Sequence, residues 1–311
     1  MSAATPYHIH TNGKLLLSAE YFVLDGAQAL ALPTKLGQSF AVRPLAGKTN
    51  EIHWKSLTKQ GSCWFEATFS LFPLQIIEAN HPMTARRVLD LLENISRLRP
   101  SFWNKRQAFQ VETRLDFSRE WGLGSSSTLV SALSQWATVD PYQLLADTFG
   151  GSGYDLACAV ANGPLLYQRQ NQRGTYVETP FRPTFADQLY FVYLGKKQNS
   201  REGIQRYRSL TDKDEGLIRK ISQLSLAMAN ATALPDFEKI ILEHERLVSQ
   251  TLQLDRAQNL HFSDFPGEIK SLGAWGGDFV LATSPFSPSE TMNYFQQKGY
   301  NVIFSYHDLI L

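Results

Sequence analysis

Between residues 120 and 133 the chain reads EWGLGSSSTLVSAL, with Gly122, Leu123 and Gly124 followed at once by Ser125, Ser126 and Ser127. The strand-like stretch QAFQVETRLDF comes before it. After it, TLVSALSQWA places Leu129, Leu133 and Trp136 at helical spacing, so the bend delivers the start of a helix. Such a start carries amide donors without partners and a partial positive charge, and it attracts phosphate oxygens. Glycine lets backbone approach an anion closely, and serine hydroxyls can cap the helix, hold a phosphate or meet Mg²⁺. An ordinary cap needs one such residue, whereas five of the six positions from Gly122 to Ser127 are Gly or Ser. The Gly-x-x-x-x-Gly-Lys-[Ser/Thr] phosphate loop is absent.

GLGSSST resembles the second motif of the GHMP kinases, the superfamily of galactokinase, homoserine kinase, mevalonate kinase and phosphomevalonate kinase. Two further stretches match in the family's order. GKLLLSAEYFVLDGAQALALP, residues 13 to 33, is similar to the first motif, with Ala19 where that motif has glycine before Glu20. GGSGYDLACAVANGPLLY, residues 150 to 167, resembles the Ser-Gly-x-Asp segment, and Gly153-Tyr154-Asp155-Leu156-Ala157 is similar to the subgroup named for its Gly-Tyr-Asp-Ile-Ala signature.

The resemblance implies an α+β, two-domain fold: an N-terminal domain like domain 2 of ribosomal protein S5 and a ferredoxin-like C-terminal domain. It implies transfer of the γ-phosphate of ATP to a small metabolite with Mg²⁺. Asp155 is then the catalytic residue that orients or accepts the hydroxyl proton, and Lys14 the cation that keeps it ionised and steadies the transferring group. Gly122 to Ser127 would bind the nucleotide, joined by Gly273 and Gly276 from IKSLGAWGGDFVLATS, residues 269 to 284, the counterpart of the third motif. Glu20, Tyr21, Ser152 and Arg201 are expected on the substrate side, with Glu20 either supporting the lysine network or forming a surface pair. Tyr21 stands where mevalonate kinases usually have His and phosphomevalonate kinases usually have Tyr, so both activities stay open, and AEYFVLDGAQALA is closest in flavour to those two kinases.

Three departures bear on this. No proline leads into the second motif, where Arg119 and its neighbours stand. The family holds Mg²⁺ with a motif-two serine, here Ser125 or Ser126, and an acid eleven positions before the aspartate, where this chain has Leu144. Either Asp147 takes that acid's place, or phosphates and water hold the metal. In the third motif Trp275 and Asp278 occupy small positions: an indole is expected to narrow the loop and a carboxylate to repel phosphate, so nucleotide binding is either modified or lost. A non-catalytic ligand- or partner-binding module of the same fold is the competing class.

The elements that must position these residues alternate in type. YHIHTNGKLLLSAEYFVL and QAFQVETRL read as strands and MTARRVLDLLENISRL as a helix, the pattern of α+β layers. A proline-containing loop before LYFVYLGKK suggests a boundary near residue 185, giving domains 1–185 and 186–311. Two long helices follow. In DFEKIILEHERLVSQTLQL the stripe Ile240, Ile241, His244, Leu247 and Val248 predicts a core face with His244 at its edge. Strand DFVLATS, helix PSETMNYFQQKGY and strand NVIFSYHDLIL close the chain. Lys196, Lys197, Arg201 and Arg206 gather in YLGKKQNSREGIQRY, a cationic run suited to an anionic acceptor.

The chain of 311 residues can bury a sizeable core. Thirty basic residues against 29 acidic ones, a net charge of +1, argue against a nucleic-acid surface. No apolar run of membrane-spanning length and no secretory pattern at the start points to a cytoplasmic protein without a membrane role, monomeric or homodimeric. Cys63 and Cys158 are expected to be buried thiols, and the scattered histidines give no zinc spacing.

Overall fold

The computed structural model describes residues 6–103, 106–170, 173–196, 200–210, 214–273, 275 and 278–311, with the backbone alone of 200 and 201. The chain divides into two compact units that interleave along the sequence. The first takes Met1–Gly13, Leu36–Arg119 and Gly124–Val160; the second takes Lys14–Lys35, Glu120–Leu123 and Ala161–Leu311. Residue 185, where the sequence suggests a boundary, falls inside the second unit.

The first unit is built from strands β1 (Tyr7–Leu16), β2 (Ala29–Pro44), β3 (Glu51–Leu57), β4 (Cys63–Leu71) and β5 (Leu74–Ala79), helix α1 (Pro82–Leu98), strand β6 (Ala108–Leu115), and helices α2 (Ser125–Ala137), α3 (Pro141–Thr148) and α4 (Tyr154–Val160). Its sheet runs β5-β4-β3-β6-β2, with β1 also on β2, and the β3/β6 pair is parallel with Ile52 opposite Phe109. In β3, Ile52, Trp54 and Ser56 are buried and alternate with more exposed neighbours, the period-two signature of a strand covered on one face. Helix α1 covers that face with Ala85, Val88, Leu89, Leu92 and Ile95 at spacings of three and four. Pro82 starts it at a position where the missing N–H costs nothing. Trp54, Phe65, Phe69 and Val111 share one core with Val130 and Leu133 of α2 and Leu144 of α3. Each such side chain contributes roughly 1.5–3 kcal/mol when fully buried, so this core fixes where α2 begins.

Strand β2 serves both units. Gln38–Pro44 pair with β6, and Ala29–Ala31 pair with the first strand of the second unit, β7 (Leu165–Gln170), which in turn pairs with β8 (Arg173–Glu178). The second unit continues with β9 (Leu189–Tyr193), α5 (Ser200–Ser209), α6 (Glu215–Asn230), α7 (Leu234–Leu252), α8 (Ala257–His261), β10 (Ile269–Ser271), β11 (Phe279–Thr283), α9 (Pro288–Gln297), β12 (Ile303–Ser305) and α10 (Tyr306–Leu309). Its own antiparallel sheet has the order β10-β11-β9-β12, and α6 and α7 pack on each other. Val192, Phe262, Ile269, Val280 and Phe295 form its core. The architecture is α+β, as expected.

Two expectations are corrected. The closing strand is only three residues long, because the Ser305 hydroxyl accepts the Asp308 N–H at 3.1 Å and turns the chain into α10. Cys63 is exposed on β4, and Cys158 alone is buried.

Candidate functional site

In the first unit the serine-rich bend does deliver a helix start. Gly124 is the N-cap of α2 at φ 97°, a left-handed conformation that glycine adopts without strain. The three serines then divide. Ser127 is buried, its hydroxyl donating to the Gly124 carbonyl at 2.9 Å, whereas Ser125 is half-buried and Ser126 exposed. Thr128 holds the turn from within, donating to Gln38 Oε1 at 2.7 Å. Ser127 is therefore part of the turn's own scaffold, and Ser126 remains on its outer face.

Asp155 lies in the first turn of α4, half-buried, behind a loop that contains half-buried Ser152. The N–H of Leu156 donates to its Oδ1 at 3.1 Å. Asn12 Nδ2 of β1 donates to the Cys158 carbonyl of α4 at 3.4 Å. Helices α2 and α4 pack together, so the glycine-led start of one and the aspartate of the other belong to neighbouring helices of the first unit.

Asp147, expected as a possible metal ligand, is paired with a cation of α1. Its Oδ2 accepts from Arg97 Nη2 of α1 at 2.6 Å and from Gln143 Nε2 at 3.0 Å. A carboxylate already neutralised by a guanidinium offers a divalent cation little. Among the described residues no group of three His, Cys, Asp or Glu side chains could hold a metal ion.

In the second unit, half-buried Lys14 near the end of β1 grips the bend just before the helix. Its backbone N–H donates to the Leu123 carbonyl at 3.0 Å and its Nζ to the Gly122 carbonyl at 2.7 Å. Gly122 has φ 66°, and a Cβ there would collide with the carboxylate of Asp278. The same segment is tied to β9 by Tyr193, whose hydroxyl donates to the Glu120 carbonyl at 2.9 Å. Asp278, expected to repel phosphate, thus rests against the glycine whose carbonyl holds Lys14.

Glu20 is neither on the surface nor paired with Lys14's bend. It is fully buried, with Oε1 2.6 Å from Lys270 Nζ. Lys270 also lies 3.3 Å from Glu245 Oε1, and Glu245 accepts the Ser271 hydroxyl at 3.1 Å and the Trp275 indole N–H at 3.3 Å. Two buried carboxylates around one ammonium cannot both be charged cheaply. Burial first, and then the neighbouring Glu245, push the Glu20 carboxyl up to about 7, with Lys270 pulling the other way. His244 is likewise fully buried, not an edge residue. Its Nε2 accepts the Ala19 N–H at 3.0 Å, so the ring proton sits on Nδ1 and the ring is neutral. Burial, and then Lys270, hold it well below the usual histidine range. The 3.5 Å approach of His244 to Glu20 is therefore not an ion pair.

Trp275 is buried and its indole N–H donates to Glu245. Tyr21, expected beside substrate, is also buried. Its ring stacks on Tyr207 of α5 at 5.6 Å, Tyr207 donates to Asp25 at 2.8 Å, and Gly203 leaves room for the Tyr21 hydroxyl. Gly273 is in the left-handed region, while Gly276, Lys197 and the side chain of Arg201 lie outside the described residues. Sequence reasoning missed Glu245 and Lys270. The available signal was the pair His244-Glu245 inside an otherwise apolar helical face, where polar side chains need buried partners.

No protein-family model matches the sequence, and no curated protein matches it. Solved structures match over nearly the whole chain. Mevalonate kinase of Methanococcus jannaschii is 16% identical, with 97% of this chain and 98% of that chain covered, at a TM-score of 0.70. Streptococcus pneumoniae phosphomevalonate kinase in complex with phosphomevalonate and AMPPNP is 16% identical, over 96% and 99%, at 0.70. Lactococcus lactis galactokinase complexed with galactose is 12% identical, over 97% and 93%, at 0.64. The chain has the fold of the GHMP kinases.

Proposed function

We propose that the chain is a phosphotransferase that moves the γ-phosphate of ATP to a small-molecule acceptor, in the manner of mevalonate kinase. The observation that carries this reading is the bend at 122–127. A left-handed glycine leads into α2 without a side-chain cap, and an ammonium is fixed on the carbonyl two residues earlier. Amides so presented suit phosphate oxygens, and the fold shared with a phosphomevalonate kinase solved with AMPPNP supports the same use.

In this reading the amides of Ser125, Ser126 and Ser127 and the backbone of Gly122, Leu123 and Gly124 bind the nucleotide phosphates, with Gly273 and Gly276 contributing. The acceptor's hydroxyl oxygen bonds to the γ-phosphorus as the bond to ADP breaks. Asp155 takes the hydroxyl proton, and Lys14 offsets the charge on the transferring group. Mg²⁺, when bound, neutralises the phosphates. With Asp147 paired to Arg97, the Ser126 hydroxyl is the side chain of this chain that would hold it. Ser152 and Arg201 remain assigned to an anionic acceptor.

Tyr21 stacks on Tyr207 of α5, which does not favour mevalonate over phosphomevalonate. Phosphomevalonate is therefore the alternative acceptor. A non-catalytic binding module is the second reading, favoured by the engaged Asp147 and by Leu144 at the metal-acid position. ADP release from ATP and Mg²⁺, screened against mevalonate, phosphomevalonate and galactose, separates the three. The reading places the protein in the cytoplasm, where ATP is available, and among the described residues no helix is long and apolar enough to cross a membrane.

A further inference from the structure

In the second unit Ala19 stands where the first motif has glycine and Trp275 at a small position of the third, and both have the positive φ that suits glycine: Ala19 at 62° and Trp275 at 50°. That region is disfavoured for a residue with a Cβ, and a tryptophan there is an outlier that its surroundings must hold. Adjacent side chains of α7 do the holding. His244 Nε2 accepts the Ala19 N–H at 3.0 Å, and Glu245 Oε1 accepts the Trp275 indole N–H at 3.3 Å. Glu245 is itself fixed by Ser271 at 3.1 Å and Lys270 at 3.3 Å, and all of these side chains are buried.

We propose that His244 and Glu245 are positioning residues for the turns of the first and third motifs: as one brace on α7, they hold Ala19 and Trp275 in a backbone conformation that glycine would adopt unaided. The consequence reaches the bend. Three residues after Trp275, the Asp278 carboxylate abuts Gly122, whose carbonyl carries the Lys14 ammonium. A loosened Trp275 turn would be felt at Asp278, and so at the glycine it rests against. The brace itself stands on this geometry alone; only its effect on nucleotide rests on the phosphoryl-transfer reading.

The test is a double-mutant cycle in thermal unfolding. His244→Leu removes the acceptor and is expected to lower Tm. Ala19→Gly should restore roughly half of that loss or more, while shifting the otherwise unaltered protein far less, because residues that act through one another are not additive. His244→Gln, which keeps an acceptor, should lose less than His244→Leu. Additive shifts overturn the proposal. If His244→Leu does not fold, folding of Ala19→Gly/His244→Leu is the same rescue, and failure of both overturns it.

For the second arm, Trp275→Phe keeps the ring and removes the indole donor, and Glu245→Gln keeps the shape and removes the charge. Either should speed amide exchange in the peptide 269–280, and raise KM for ATP about tenfold with kcat within about twofold, a tenfold change being the effect of one weakened hydrogen-bonded contact. Unchanged exchange in both variants overturns the proposal. A protein that neither binds nor turns over ATP leaves the unfolding cycle and the exchange to decide the brace, and rejects only the kinase reading.

Discussion

The indole of Trp275 donates to Glu245 Oε1 at 3.3 Å, so a bulky residue in a glycine-like conformation is anchored on α7. Together with the Asp278 carboxylate against Gly122, this turns the departures of the third motif into parts of a built structure.

The two proposed chemical groups have a direct consequence. Asp155→Ala and Lys14→Ala should each lower turnover by at least ~10²-fold, the usual effect of losing a proton acceptor or an electrostatic stabiliser. Circular dichroism and Tm should show the fold intact. Near-normal turnover in both variants would remove these roles.

Asp147 leads to an opposite expectation. Because its carboxylate is committed to Arg97, Asp147→Asn should leave the Mg²⁺ concentration for half-maximal activity unchanged. The stability cost should be at most about 1 kcal/mol, since the Arg97 partner is largely exposed. A tenfold rise in the Mg²⁺ requirement would return Asp147 to the metal.

The buried cluster predicts opposing pH dependences. Glu20 is raised to about 7 in the folded protein, so between its ordinary value near 4.5 and about 7 the folded state holds a proton that the unfolded state has lost, and stability falls as pH rises. His244 is depressed when folded, so the unfolded state holds the extra proton below about 6.5, and stability rises with pH up to there. In the unaltered protein the two partly cancel. Glu20→Gln should leave Tm rising from pH 5 to 6.5 and then level; His244→Gln should leave it falling from pH 5 toward 7.5. Profiles that superimpose on the parent's would contradict the pairing.

Backbone strain at the helix start can be probed at Gly124. Its φ of 97° is unfavourable for any residue with a Cβ, so Gly124→Ala should cost roughly 1–2 kcal/mol of stability and weaken nucleotide binding beyond that loss. Calorimetric titration with AMPPNP and Mg²⁺ on the folded fraction measures the second effect. Unchanged affinity would separate the bend from the nucleotide.

Much of this was legible from residue types. The glycines and serines of 122–127 announce a helix start because helical spacing resumes at Leu129, α1 and α7 follow their apolar periodicity, and β9 is a continuous apolar run. What the sequence concealed was partnership. Asp147 and Arg97 are fifty residues apart, and nothing local marks a carboxylate as already neutralised. Glu20, Glu245 and Lys270 come from three distant segments, and a charge on a helical stripe reads as a surface residue until its partners are known. Tyr21 looked like a substrate contact by its place in a motif, but the space left at Gly203 determines where its ring goes. The 16-residue strand β2 runs from one unit into the other, and no change of composition marks the division.

The measurement that bears most directly on the function is transfer of label from [γ-³²P]ATP, with Mg²⁺, to mevalonate, phosphomevalonate or galactose. Labelled product with one of these acceptors, abolished by Asp155→Ala, is the predicted result. Absence of labelled product with all three, together with no rise in Tm on adding ATP and Mg²⁺, would contradict it.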